Sequence, residues 1–161
     1  MNPRRRAREL ALQALFQFDV QGEPFAGELD DFLGRSSEQA EVRDFARKLT
    51  EGAWRGRRQA DDLLNRLTVR WSVERMAVAD RNILRMGIYQ LLCCPDIPPR
   101  VVINEAIELG KRYSTADSPQ FINGLLDAAH RQIAREGASG EAPNGKPGKS
   151  TTEGTEDTET K

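Results

Sequence analysis

One histidine, His130, is all that this 161-residue chain contains of that residue type, and it has only two cysteines, Cys93 and Cys94. A lone histidine removes most His-based acid–base and metal-ligand schemes. The cysteines are adjacent, and neighbouring cysteines pair only through a strained ring. With no Cys or His partners at ligand spacing they form no metal site either, and they read as two reduced thiols where Pro95 stops a helix. No apolar run approaches the roughly 18 residues of a membrane span. The N-terminus carries arginines but lacks the apolar core of a signal peptide, so the expected location is the cytoplasm. GxGxxG, Walker and GxSxG patterns are all missing. The expectation is a protein that is no enzyme and needs no cofactor or metal.

Net charge is also nearly absent: Lys+Arg 24 against Asp+Glu 25 leaves -1. That average hides an uneven distribution. Residues 137–161 hold five acids and three lysines, and no Ile, Leu, Val, Met or aromatic residue. Such a segment cannot offset its ordering entropy by burial and is expected to be a disordered, low-complexity tail. Residues 1–136 carry 21 basic and 20 acidic groups, enough chain for a single domain,. Four of those basic groups, Arg4, Arg5, Arg6 and Arg8, crowd the first eight residues.

What is present is helical periodicity from end to end, with no alternating strand pattern. Asn2-Pro3 predicts a helix start, with Leu10, Ala11, Ala14, Leu15 and Phe18 on one face and Gly22 and Pro24 beyond its end. Phe25 to Leu33 predicts a short second helix closed by Gly34. Ser36 with Gln39 forms a capping-box pattern ahead of one long helix. Its stripe runs from Val42 through Phe45, Leu49, Ala53 and Ala60 to Leu67, with a bend allowed at Gly52 or Gly56. Ser72 is placed to cap a helix opening at Glu74. DRNILRMGIYQLL, residues 80–92, is apolar on nearly every side, as in a central helix. After the proline-rich CCPDIPP loop, one helix turns Ile103, Ala106, Ile107 and Gly110 inward. The last starts at Ser118-Pro119 and buries Ile122, Leu125, Leu126, Ala129 and Ile133. The fold class is all-α, six to seven helices in two halves divided near residues 68–72. Trp54 and Trp71 read as packing residues, and His130 as a helix-surface or packing histidine.

Several residues fit this scheme poorly. Four arginines at a helix N-terminus oppose the macrodipole, but guanidinium groups suit phosphates, so the cluster is either a solvated basic end or an anion-seeking one. Phe16 lies roughly 170° from the core face, beside Arg5, Glu9 and Gln13, using 100° per residue. It is either covered by another element or kept for a partner. Asp80 falls in line with Met76, Ile83, Gly87 and Leu91, as an N-cap, an internal ion pair, or a carboxylate held in a groove for a basic partner. Asn104, Glu108 and Lys111 project from one face of the next helix. Asp117 and Ser118 precede Pro119 at a helix start, where backbone N–H groups can receive an anion. Phe121, with Gln120 and Asn123 beside it, either fills the core or stacks an unpaired base.

Three blocks, RRRARELALQALFQFD, DRNILRMGIYQLL and IPPRVVINEAIELGKRYSTADSPQFINGLLD, together resemble the NusB family of transcription antitermination factors over about residues 4–134. The resemblance implies two three-helix subdomains. It implies binding to the boxA element of ribosomal RNA leader transcripts together with the ribosomal protein NusE. The complex then joins RNA polymerase and other Nus factors to suppress premature termination. By position, Arg4, Arg5, Arg6 and Arg8 are implied RNA contacts, as are Lys111, Asp117, Ser118, Gln120, Phe121 and Asn123. Phe16, Glu74, Asp80 and Arg81 are implied to face NusE. Gln120 stands where some relatives carry a basic residue, and Gly110 where many carry alanine. The alternative the resemblance leaves open is a helical module of an rRNA-modifying methyltransferase system, although no cofactor-binding sheet or glycine-rich loop follows residue 136.

Overall fold

The computed structural model describes residues 2–68 and 72–138. Among them are seven α-helices and no strand: α1 (Pro3–Gln21), α2 (Leu29–Ser36), α3 (Ala40–Arg55), α4 (Arg57–Leu67), α5 (Val78–Cys93), α6 (Pro99–Tyr113) and α7 (Ser118–Ala138). Two 3-10 turns, Glu23–Gly27 and Val73–Arg75, complete the chain path. No described helix is long and apolar enough to cross a membrane. The all-α expectation holds.

Helix α1 begins as its sequence dictates. The Asn2 side chain accepts from the backbone N–H groups of Arg4 and Arg5, at 2.8 and 3.3 Å, and Pro3 opens the first turn. This satisfies two of the donors every helix start leaves open, in a first turn with no acid,. The helix ends at Gly22, whose φ of 76° lies in the left-handed region that favours glycine, and whose N–H returns to the Phe18 carbonyl,. Burial extends beyond the predicted stripe to Ala7, Arg8, Glu9 and Leu12. The reason is that α1 is wedged between α3 and α5, so two flanks are covered. Central position therefore belongs to α1 as well as to α5.

The second and third elements differ from expectation. The Phe25 segment is a 3-10 turn and α2 starts only at Leu29, running through Gly34 to Ser36. Ser36 caps nothing: its hydroxyl turns back to the Phe32 carbonyl at 2.6 Å, while Ser37 Oγ accepts from the Gln39 N–H at 3.1 Å. A side chain that bonds its own preceding turn is lost to the next helix. The long helix is two helices, α3 and α4, broken at Gly56. Gly52 stays within α3 and makes room for the Tyr89 ring; a Cβ there would fall 2.2 Å from that ring. Arg57 seals the break, donating to the Trp54 carbonyl at 2.6 Å with its guanidinium 3.7 Å from the Trp54 ring centroid,. The N-terminal half thus has four helices where three were expected. Trp54 does pack as read, stacked on Phe18 at 4.8 Å with its indole N–H on Glu23.

Ser72 makes no side-chain cap, and no α-helix opens at Glu74; that residue lies in the 3-10 turn, and α5 starts at Val78. The Val73 N–H is met instead by Asn65 Oδ1 of α4, at 3.0 Å. Trp71 lies outside the described residues. In α6 the core face is Val102, Ala106, Leu109 and Gly110, with Ile103 and Ile107 half-buried at the edge. Gly110 sits against Ile122, where a Cβ would come within 2.8 Å of the Ile122 side chain. Gly87 of α5 receives Leu126 in the same way. These close approaches set α7 residues 118–130 against α5 and α6. Residues 131–138 form a separate unit continuing α7, in which Gln132 bonds Glu136 and Arg135 bonds Gln132. Gly137 and Ala138, assigned by composition to the tail, are its last helical residues; 139–161 lie outside the described residues.

Candidate nucleic-acid interface

The N-terminal arginines divide by what surrounds them. Arg4 is exposed and lies flat over the Phe45 ring, 4.2 Å from its centroid. Arg5, also exposed, grips Glu105 of α6 with two parallel bonds of 3.1 and 2.8 Å. This fork holds the Glu105 carboxyl below its ordinary range,. Arg6 bonds Glu9 at 3.2 Å. Arg8 differs from its neighbours: it is 4% exposed, donates to Gln90 Oε1 at 3.3 Å and faces the Phe45 ring. Burial pushes its guanidinium pKa down,. It lies below the surface of a cleft of about 280 Å³, which Arg4, Arg5, Ile97, Pro98, Val101 and Glu105 also line. The cleft therefore has two outward arginines, Arg4 and Arg5, and one inward, Arg8, while Arg6 lies outside its lining and bonds Glu9.

Glu9 read as a polar-face residue; it is buried at 3% exposure. It accepts from Arg6 and from Arg112 of α6. Arg112 itself is about half exposed, and sequence reasoning passed over it. Its only signal was position, one residue beyond Lys111, with nothing to say that it would bond Glu9 of α1.

A second, larger cleft of about 450 Å³ opens at the other end of α6. It is lined by Arg75, Met76, Ala77 and Asp80 before and within α5, and by Thr115, Asp117, Ser118 and Phe121 at the α6–α7 turn. Here the structure brings Asp80 together with Asp117, Ser118 and Phe121, which lie more than thirty residues later in the chain. Asp80 is neither an N-cap nor ion-paired: Ala77 holds the cap position, and the Ser114 hydroxyl donates to Asp80 Oδ1 at 2.6 Å. Asp80 lines the cleft as a buried carboxylate, 7% exposed, satisfied by Ser114. Ser118 is fully buried, and its hydroxyl donates to Ser114 Oγ at 2.9 Å and accepts from the Thr115 N–H at 3.2 Å. Its work is to lock the turn that presents its neighbours. Asp117, Gln120 and Asn123 are exposed, and Phe121 is half-buried on the cleft wall. Lys111 is exposed and pairs loosely with Glu108 at 3.3 Å.

Of the residues expected to face a protein partner, Phe16 lies on α1, Arg81 on α5 and Glu74 in the 3-10 turn before α5, whereas Asp80 lines the Phe121 cleft. Phe16 is 40% exposed and Val20, one turn on, 76%, an apolar pair in the open. Phe16 is thus not covered by another element among the described residues. Arg81 bonds Asp19 Oδ2 at 3.1 Å, and its buried Nε has no partner. Glu74 is exposed in the 3-10 turn.

Residues 5–131 match the model of the NusB family. The chain is 48% identical over 134 residues to the transcription antitermination protein NusB of Desulforapulum autotrophicum, covering 79% of this chain and 90% of that protein. NusB of T. maritima superposes with a TM-score of 0.70 at 36% identity, over 82% of this chain and 93% of the other. A crystal structure of the antitermination factors NusB and NusE in complex with double-stranded RNA contains a chain that superposes with a TM-score of 0.73 at 25% identity, over 82% and 98%. Arginine cleft, aromatic cleft and helical frame thus occur in a chain that belongs to the NusB family.

Proposed function

We propose that the protein is an antitermination factor that binds boxA RNA of ribosomal RNA leader transcripts jointly with NusE, through binding and not through catalysis. The observation that carries this reading is the pairing of a cleft rimmed by outward arginines with a second cleft walled by Phe121. Phosphates supply affinity and take the arginines; unpaired bases stack on aromatic rings and are read at their edges. Arg4, Arg5 and Arg6 take RNA phosphates, with Lys111 further along α6. Phe121 stacks a base, with Asp117, Gln120 and Asn123 at its edge. Ser118 supports the turn and Arg8 adds charge from below. Phe16, Glu74, Asp80 and Arg81 meet NusE. The near-zero net charge of the chain fits a small, shared site better than a broad basic surface.

The test is reconstitution. Mixed with NusE and a short boxA RNA, the chain should run as one species whose mass is the sum of all three. Recovery of neither partner would overturn the reading. Within that complex, replacing Arg4, Arg5 and Arg6 with alanine should flatten the dependence of log K on log salt, by roughly 0.7 per lost phosphate contact on a single strand. An unchanged slope would remove those arginines from the interface.

A further inference from the structure

Helix α6 connects the two clefts. Pro98, Val101 and Glu105, at its start, belong to the arginine cleft, and Thr115, Asp117 and Ser118, just past its end, to the Phe121 cleft. Fifteen helical residues rise about 22 Å, so an RNA strand that reaches both clefts crosses that length of surface,. Arg112 lies between them, seven residues or about 10 Å along α6 from Glu105,.

Its setting is unlike that of an ordinary surface arginine. The carboxylate it bonds, Glu9, is buried at 3% exposure, while Arg112 keeps 55% of its side chain in solvent. Glu9 also accepts from Arg6, whose side chain is 38% exposed. One buried acid thus fixes two outward guanidinium groups, one from each helix, leaving each with free donors. Glu105 does the same for Arg5 at the first cleft. At Glu9 and Glu105 the cations lie outside and the acids beneath them, an arrangement that suits a polyanion, whereas Asp96 at the first cleft is an exposed acid,.

We infer that Arg112, oriented by Glu9, is a phosphate contact that joins the two clefts into one single-strand track along α6. Glu9 is a positioning residue in that track, and touches no RNA. The inference rests on the RNA-binding reading above and extends it to a residue outside the N-terminal cluster and the α6–α7 turn.

The experiment titrates a fluorescently labelled single-stranded boxA RNA with the full chain and NusE, over a range of salt concentrations. Arg112→Ala should weaken binding several-fold at low salt and lower the slope of log K against log salt by about 0.7. Arg112→Lys, which keeps the charge, should restore the slope. Arg58→Ala, at an exposed position on α4, is the control and should leave it unchanged. Glu9→Gln separates positioning from bulk electrostatics, because it makes the chain more positive yet should bind more weakly; thermal melting checks that the variant is folded. Wild-type affinity and slope retained in Arg112→Ala would overturn the inference while leaving RNA binding intact. Tighter binding by folded Glu9→Gln would overturn the positioning role. Failure of the unmodified chain to bind would overturn both the inference and the reading beneath it.

Discussion

Helix α1 carries an arginine–carboxylate network at each end, and the two ends use the same chemistry for opposite purposes. Toward its C-terminus, Asp19 accepts from Asn82 at 2.7 Å and from Arg81 at 3.1 Å, while Arg85 forks onto Asp61 of α4 at 2.8 and 2.7 Å. Arg85 is 8% exposed at its side chain and lies 3.5 Å from Asp19 as well. Two arginines meet two acids, so the charges cancel. Toward its N-terminus, Arg4, Arg5 and Arg6 with Arg112 outnumber Glu9 and Glu105, and the guanidinium groups face water. An inward, balanced network ties helices together; an outward one with cations in excess is a place for an anion. Burial and stoichiometry make the difference, since the residue types are shared.

The strongest way to break this comparison is Asp19→Ala. It removes the acid that Arg81 and Asn82 share and one of the two beside Arg85, which keeps Asp61, and for this half-buried network the loss should be about 3 kcal/mol, the low end for a buried pair,. Melting should reveal the loss, while RNA affinity of the folded protein stays unchanged; altered affinity without altered stability would merge the two regions. Next in size is Phe121→Ala, which should cost about 1–3 kcal/mol of RNA binding if a base stacks there. Its melting temperature should hold, because the ring lies on a cleft wall and not in the core; a large drop would make Phe121 a packing residue.

Arg8 offers a finer test within one cluster. Arg8→Ala should lower the melting temperature, since it vacates a buried position beside Gln90 and Phe45,. The double variant of Arg4 and Arg5 should leave melting nearly unchanged and flatten the salt slope instead. Equal behaviour of all three would erase the inward–outward division. The smallest effect is on pH. Burial alone would raise the Asp19 carboxyl, but Asn82, Arg81 and Arg85 outweigh it and hold the group below its ordinary range,. A carboxyl depressed in the folded state contributes stability that is present above about pH 4 and lost as pH falls through the folded value. The unmodified chain should therefore lose melting temperature more steeply on acidification than Asp19→Asn, by scanning calorimetry from neutral pH downward.

Much of this was legible in the chain. Asn2-Pro3 carried its own helix start, the apolar residues of 80–92 marked a buried helix, and the three sequence blocks pointed to the family now shown. Phe16 and Asp80 stood out because each broke the periodicity around it. The misreadings share a cause. Ser36 and Ser72 looked like caps because they precede helical stretches, but a hydroxyl bonds whichever backbone group is nearest, and that depends on the turn geometry. Ile103 and Ile107 were placed inward because the α6 face was judged without knowing which flank α5 would cover.

Local chemistry thus determined what is local: helix content, the Asn2 cap, the breaks at Gly22 and Gly56, which faces are apolar, and the presence of an arginine-rich end. Tertiary structure alone decided which arginines are available. Arg8 points into the protein because Gln90 of α5 and Phe45 of α3 meet it, and Arg112 is held against α1 by Glu9, a contact between residues more than a hundred positions apart. Sequence periodicity describes one helix at a time, whereas the electrostatics of a site are set by whichever helices share it.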